Sequence, residues 1–267
     1  MKPQLSMENW KENKEVHEGV WGRIYNHAAF NSKSYSDIKF EWLSLFSFEV
    51  GNKTTFNYIL DGNVTSGDLD QYVTDKNKYI QNRLDEYVTP TTDLILDLGS
   101  GWGRQSIQLA FNNPNYKILA GELSDSGRKV TDYFKNKYDL PIETFSFNWH
   151  EYQSLIDLLS SRNYKEIVIL TSNTIEQIPY IKEELFTDLL ALPIDKISTV
   201  HIEPVKFQYD GIDFPLANHY NRNLKEVLDS LESKKLIEIT KVVPKYWGHD
   251  LNKTAQNNIL IEWKKLS

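Results

Sequence analysis

The alternation of apolar and polar positions changes character near residue 89. Beyond it, short apolar runs alternate with stretches whose apolar residues recur at helical spacing, which predicts a parallel sheet with helices on its faces. The runs that read as strands are Leu94–Leu98, Ile118–Glu122, Ile142–Phe147, Glu166–Thr171 and Ile197–Glu203, with Leu236–Val243 and Asn258–Trp263 after them. Helical spacing covers Arg104–Asn112, Asp125–Tyr138, Trp149–Arg162, Glu176–Ala191 and Leu224–Lys234. No helical stretch separates the last two strands, so they are expected to pair antiparallel instead of adding another right-handed crossover.

Before residue 89 the pattern is less regular. Met7 to Ala29 reads as a helix with Trp10, Val16, Val20, Trp21 and Ile24 inward, and Ile38 to Val50 as a second one. Gly51-Asn52, Asp61-Gly62-Asn63 and Gly67-Asp68 are turn signals. Leu69 to Tyr87 is helical again, with Pro90 just past its end. This predicts two parts, a mainly helical cap over residues 1–88 and an α/β domain over 89–267. No internal repeat or low-complexity segment interrupts either.

Composition narrows the function classes. The apolar and charged fractions, 40% and 25%, are those of a globular chain. A net charge of -7 without a Lys/Arg run disfavours a nucleic-acid partner, whose phosphates demand a basic face, and also docking on an anionic membrane. With no cysteine, thiolate metal sites and thiol nucleophiles are excluded. No apolar run is long enough to span a bilayer and no signal-peptide core opens the chain, so a cytoplasmic protein is expected. The 15 Tyr, 12 Phe and 7 Trp suit both a large core and a cavity for a flat ligand.

The densest chemical signal is Leu94-Ile-Leu-Asp-Leu-Gly-Ser-Gly-Trp-Gly103, a strand running through a glycine turn into a helix. Alternate glycines permit positive φ and leave backbone open to a ligand, and the helix start favours an anionic group. A dinucleotide fingerprint has the spacing G-x-G-x-x-G; here Gly99, Gly101 and Gly103 are each two apart and follow Asp97. An acid, Glu122, ends the next strand, where a carboxylate can accept hydrogen bonds from a ribose diol. The third strand leads into Phe147-Asn148-Trp149-His150.

Over residues 89 to 267 this order of motifs resembles the class I S-adenosylmethionine-dependent methyltransferases. The resemblance implies a Rossmann-like, seven-stranded, mostly parallel sheet with an antiparallel last pair, and S-adenosylmethionine as cofactor with S-adenosylhomocysteine as product. It places Asp97 at the methionyl amino group, Gly99, Ser100, Gly101, Trp102 and Gly103 beside the methionyl and ribose parts, Glu122 and Leu123 at the ribose, and Asn148 and Trp149 at the adenine. Thr171, at the end of the fourth strand, completes the expected cofactor set. A cap before residue 89 resembles the lids that small-molecule methyltransferases place over the acceptor, with Trp21, Tyr25 and Tyr79 as wall residues.

In open α/β sheets, ligands sit beyond the carboxyl ends of the strands, which nominates Glu176, His201 and Glu203, and His219 in the loop that follows. His201 and Glu203, two apart on one strand, share a face; a histidine there, or His219, could act as general base with Glu203 orienting it. The expected reaction is methyl transfer to a small molecule, on oxygen more readily than nitrogen: a sugar, a sugar-derived metabolite or a natural-product precursor. A structural His201–Glu203 pair, a divalent-metal site of His201, Glu203 and His219, a protein or RNA methyltransferase, an interaction protein with a dead site and an NAD-dependent dehydrogenase are the rival readings. Oligomeric state does not follow from the sequence.

Overall fold

The computed structural model describes residues 10–31, 33–37, 55–211, 220–248 and 258–266. Its centre is one mixed sheet of nine strands in the order β2-β1-β8-β9-β7-β6-β3-β4-β5. Five of them are parallel: β3 (Leu94–Leu98), β4 (Ile118–Glu122), β5 (Ile142–Ser146), β6 (Glu166–Ser172) and β7 (Lys196–Glu203). β9 (Asn258–Lys265) runs antiparallel between β7 and β8 (Ile237–Gly248). These seven are the expected Rossmann-like sheet with its antiparallel last pair.

Two further strands extend it. β1 (Phe56–Leu60) and β2 (Asn63–Gly67) form a hairpin around Asp61-Gly62, both at positive φ (49° and 79°), the two-residue turn that suits the twist of paired strands. β1 then pairs with β8 through Ile59–Gly248 and Leu60–Trp247. The segment before residue 89 is therefore built onto the same sheet, and its strand content was not expected. The proposed helix over 38–50 lies outside the described residues.

The central strands β3, β4, β6, β7 and β9 bury both faces, and their side chains sort by parity, as period-2 geometry requires. Leu94, Leu96 and Leu98, with Ile167, Ile169, Ile197, Ile261 and Trp263, face one helical layer: α5 (Gln153–Ser160), α6 (Glu183–Ala191) and α8 (Leu224–Ser233). Ile95, Val168, Leu170, Val200 and Ile202 face the other: α1 (Trp10–Phe30), α2 (Leu69–Asp85), α3 (Arg104–Asn112) and α4 (Asp125–Tyr138). A short α7 (Lys206–Asp210) follows β7.

Helix ends explain most departures from the expected spans. The stretch Glu176–Ala191 divides into a 3-10 turn at Ile175–Gln177 and α6, because Pro179 interrupts it. α5 starts at Gln153, not Trp149: Asn148 Oδ1 accepts the His150 amide at 2.9 Å and holds 148–151 as a turn. On α1, Ile24 is buried as expected, whereas Val20 is exposed.

Candidate functional site

The glycine turn leaves β3 at its carboxyl end, with Gly99, Gly101 and Gly103 at φ of 75°, 59° and 77°. Their reasons for lacking a Cβ differ. A Cβ on Gly103 would stand 2.3 Å from Thr131 Oγ1 of α4, and one on Gly99 only 1.7 Å from Thr174 Oγ1. At these two positions the close approach of other protein elements sets the requirement. At Gly101 the nearest atom would be the Trp21 ring carbon Cζ2 at 3.3 Å. Trp21 belongs to α1, so that helix lies over the loop.

Two carboxylates flank the turn. Asp97 is buried and accepts a 2.6 Å hydrogen bond from Ser106 Oγ of α3. Burial, opposed by that bond, pushes its pKa up to about 6. Glu122 ends β4 and is also buried. Its Oε2 accepts the Gly101 amide at 2.9 Å, and its Oε1 accepts Ser124 N and Oγ at 3.0 and 2.7 Å. The carboxylate thus ties the glycine loop to the start of α4.

Glu122 and Gly99 border a cleft lined also by Asn13, His17, Leu123, Asn148, Trp149, His150 and Thr174, among others, with about 50 Å³ of open volume. Of the residues expected around the cofactor, Gly99, Glu122, Leu123, Asn148 and Trp149 line this one cleft. Trp149 packs edge-on against Phe147 and donates from Nε1 to Thr174 Oγ1 at 3.4 Å. Two expected contacts point elsewhere. Trp102 is buried among Tyr35 and the core under α1, and Thr171 is bonded to His201. Ser100 contributes its amide to Gly121 O, and its buried Oγ has no partner among the described residues.

The acceptor-side candidates separate. His201 is 1% exposed and accepts from Trp263 Nε1 through Nε2 at 2.9 Å, so Nδ1 carries the proton and donates to Thr171 Oγ1 at 2.8 Å. Burial pushes its pKa down to about 3. No lone pair is left for a proton from substrate, and Glu203 is not its partner. Trp263→Phe should strand Nε2 and cost about 1–3 kcal/mol in urea unfolding without changing ligand affinity; an unchanged stability would contradict the pairing. His219 lies outside the described residues, and with it the metal site of His201, Glu203 and His219.

Glu203 shares the face of His201 but turns to the 3-10 segment, accepting Thr174 N at 3.0 Å and Glu176 N at 3.4 Å. Burial, with the charge of Glu176 adding to it, pushes its pKa up to about 8. Close by are residues that sequence reasoning missed. Asn173, at φ 55°, exchanges amide hydrogen bonds with Asn258 at 3.3 Å in both directions and accepts from Lys76 Nζ at 3.4 Å. Burial, then Arg104, push the Lys76 amine down to about 7, against the pull of Glu176 and Glu203. Lys76 sits on α2, 97 residues from Asn173, and no local spacing could have joined them.

No family model and no curated protein matches the chain. Among solved structures it is similar to geranyl diphosphate C-methyltransferase from Streptomyces coelicolor A3(2), at 10% identity over 74% of this chain and 82% of that one, TM-score 0.49. It is also similar to a SAM-dependent methyltransferase from Aquifex aeolicus (16%, 72% and 97%, TM-score 0.47). A third is tRNA (uracil-54, C5)-methyltransferase from Pyrococcus abyssi (11%, 81% and 45%, TM-score 0.44). Similarities of this depth assign no activity to this chain.

Proposed function

We propose that the chain is an S-adenosylmethionine-dependent methyltransferase acting on a small-molecule acceptor. The observation that carries this reading is the junction at the carboxyl ends of β3 and β4. Three alternate positive-φ glycines follow a buried acid, a second buried acid at the end of the neighbouring strand holds the Gly101 amide, and Gly99 and that second acid line one cleft with Asn148 and Trp149. Those residues fit the cofactor: Asp97 for an ammonium, Glu122 for a diol, Trp149 and Asn148 for a purine. The cofactor supplies an electrophilic methyl group. The protein's part is to bind and align the acceptor, and to receive its proton.

For the acceptor we favour a hydroxyl compound, bound beyond β6 and β7 beside Asn173, Glu176 and Lys76. With both nitrogens of His201 engaged, Lys76 is the better proton acceptor, since its depressed pKa leaves a neutral amine available near pH 7. Within residues 1–88, α1 serves as a cap that covers the cofactor loop rather than the acceptor, while β1 and β2 extend the sheet of the 89–267 domain. Tyr25 and Tyr79 pack with the core, as does Trp21, whose ring also lies nearest to Gly101. The net charge of -7 favours a small acceptor over RNA. No helix among the described residues is long and apolar enough to cross a membrane.

Thermal unfolding with S-adenosylmethionine, S-adenosylhomocysteine and NAD added separately tests the cofactor. A ligand at about 100 times its Kd adds roughly 2.7 kcal/mol, a shift of a few degrees. Stabilisation by the two adenosyl compounds and not by NAD is expected. A shift with NAD alone, or with none of the three, would remove this reading.

A further inference from the structure

α1 changes chemistry along one stripe. Asn13, His17, Trp21, Ile24 and Ala28 recur at the spacing of one helix face. The later pair, Ile24 and Ala28, is buried in the core shared with α4, as an anchoring face should be. Of the earlier three, Asn13 and His17 line the cleft and Trp21 lies against the glycine loop. Trp21 covers Gly101, His17 stacks on Trp21 with ring centroids 6.0 Å apart, and Asn13 lines the cleft wall.

Asn13 is 6% exposed, yet its Oδ1 has no hydrogen-bond partner among the described residues. The Trp21 indole N–H and His150 Nε2 are in the same condition. Burying an amide without a partner costs free energy, so a polar stripe at this place needs a reason that packing does not provide. A ligand in the cleft provides it. The same cleft is lined by Glu122, Asn148 and Trp149, the groups read above as facing ribose and adenine, and by His150.

The helix is also latched. The two carboxylate oxygens of Glu18 accept the amides of Asp125 and Ser126 at the start of α4, at 2.5 and 2.9 Å. This fixes the side of α1 next to the stripe directly above the loop that follows Glu122.

We propose that α1 is the roof of the adenosyl site and that the Asn13 side-chain amide hydrogen-bonds the adenosine part of the bound cofactor. The inference rests on the methyltransferase reading above. Asn13 thereby becomes a binding residue supplied from outside the sheet and its strand-end loops. The roof must lift to admit a ligand, because about 50 Å³ of open volume is well below the 300 Å³ or more of ordinary ligand pockets.

Calorimetric titration of the full chain with S-adenosylhomocysteine, and with adenosine as a probe lacking the amino-acid tail, distinguishes the possibilities. Binding of S-adenosylhomocysteine to the parent protein is measured first; its absence overturns the methyltransferase reading itself. Given binding, Asn13→Ala and Asn13→Leu should each weaken both ligands by roughly tenfold or more, a typical worth of one buried hydrogen bond. The same variants should unfold at the parent's temperature or above it without ligand, since an unsatisfied buried amide has been removed. The exposed Glu15, changed to Ala, should alter neither readout. A lower unfolding temperature with unchanged affinities would make Asn13 structural, and weakening of S-adenosylhomocysteine but not adenosine would move its contact to the amino-acid end. Either result overturns the proposal.

Discussion

Asp97→Asn is expected to give a protein that resists unfolding better than its parent and binds the cofactor far more weakly. The parent holds a carboxyl inside the fold with a pKa of about 6, against an ordinary value of 3.8. A raised carboxylate pKa means that the folded state binds more protons than the unfolded one between those values. Stability from this group is therefore full below about pH 4 and declines as pH rises through 6. At 1.36 kcal/mol per unit the loss amounts to about 3 kcal/mol. Asparagine carries no charge to desolvate and keeps an oxygen for the Ser106 hydroxyl. The stability difference between variant and parent, from urea unfolding at several pH values, should grow by about 3 kcal/mol between pH 4 and 7. A difference flat in pH would mean that Asp97 is not titrating in the fold. On the proposed reading, affinity for S-adenosylhomocysteine should fall by a factor of a hundred or so, the expected loss when a ligand ammonium no longer meets a buried carboxylate. The pair of results would identify Asp97 as a residue kept for binding at the expense of stability.

Gly99→Ala should act in the opposite sense, through packing. The added methyl would lie 1.7 Å from Thr174 Oγ1 and 2.5 Å from its Cβ. Thr174 has little room to yield: its amide is bound to Glu203, and its hydroxyl accepts from Trp149. A positive φ of 75° adds the steric cost that L-residues meet in the left-handed region. About 1 kcal/mol for the backbone and about 1–3 kcal/mol for overpacking give a destabilisation of about 2–4 kcal/mol. Thr174→Gly in the same chain should recover the packing part and leave the backbone part, so the two substitutions should be strongly non-additive. Additive losses would show that the 3-10 turn after β6 does not rest on the glycine loop.

The parallel strands were legible because β3 and β6 are mainly Leu, Ile and Val and the others are short segments carrying β-branched or aromatic residues between turn signals, and the antiparallel end followed from a missing helix. Within the site, Asp97, the glycines and Glu122 were readable because strand ends and short spacings bring them together without help from distant residues. The hairpin β1–β2 escaped notice although its Asp61-Gly62-Asn63 turn was plain. Its second strand, Asn63–Gly67, is an edge with Val64 exposed, and offers no alternation of apolar and polar residues. His201 read equally well as a base or a structural group, because only the tertiary fold brings Trp263 to its Nε2. The polar stripe of α1 was hidden for a similar reason. Asn13 and His17 look like ordinary surface residues until the helix is known to cross the cleft.

β9 follows every other described element in the chain, yet it lies inside the sheet, with β7 on one side and β8 on the other. During synthesis, where folding proceeds from the N-terminal side, the hairpin made early has no strand to join until β8 emerges. β8 in turn has no bridge to β7 until residues 258–265 are out. Up to that moment β7 presents an open edge of unpaired amides and carbonyls, the kind of edge that recruits strands from other chains. Loss of that one late segment would not trim the protein; it would cut its sheet in two and leave the early hairpin on the wrong side of the gap.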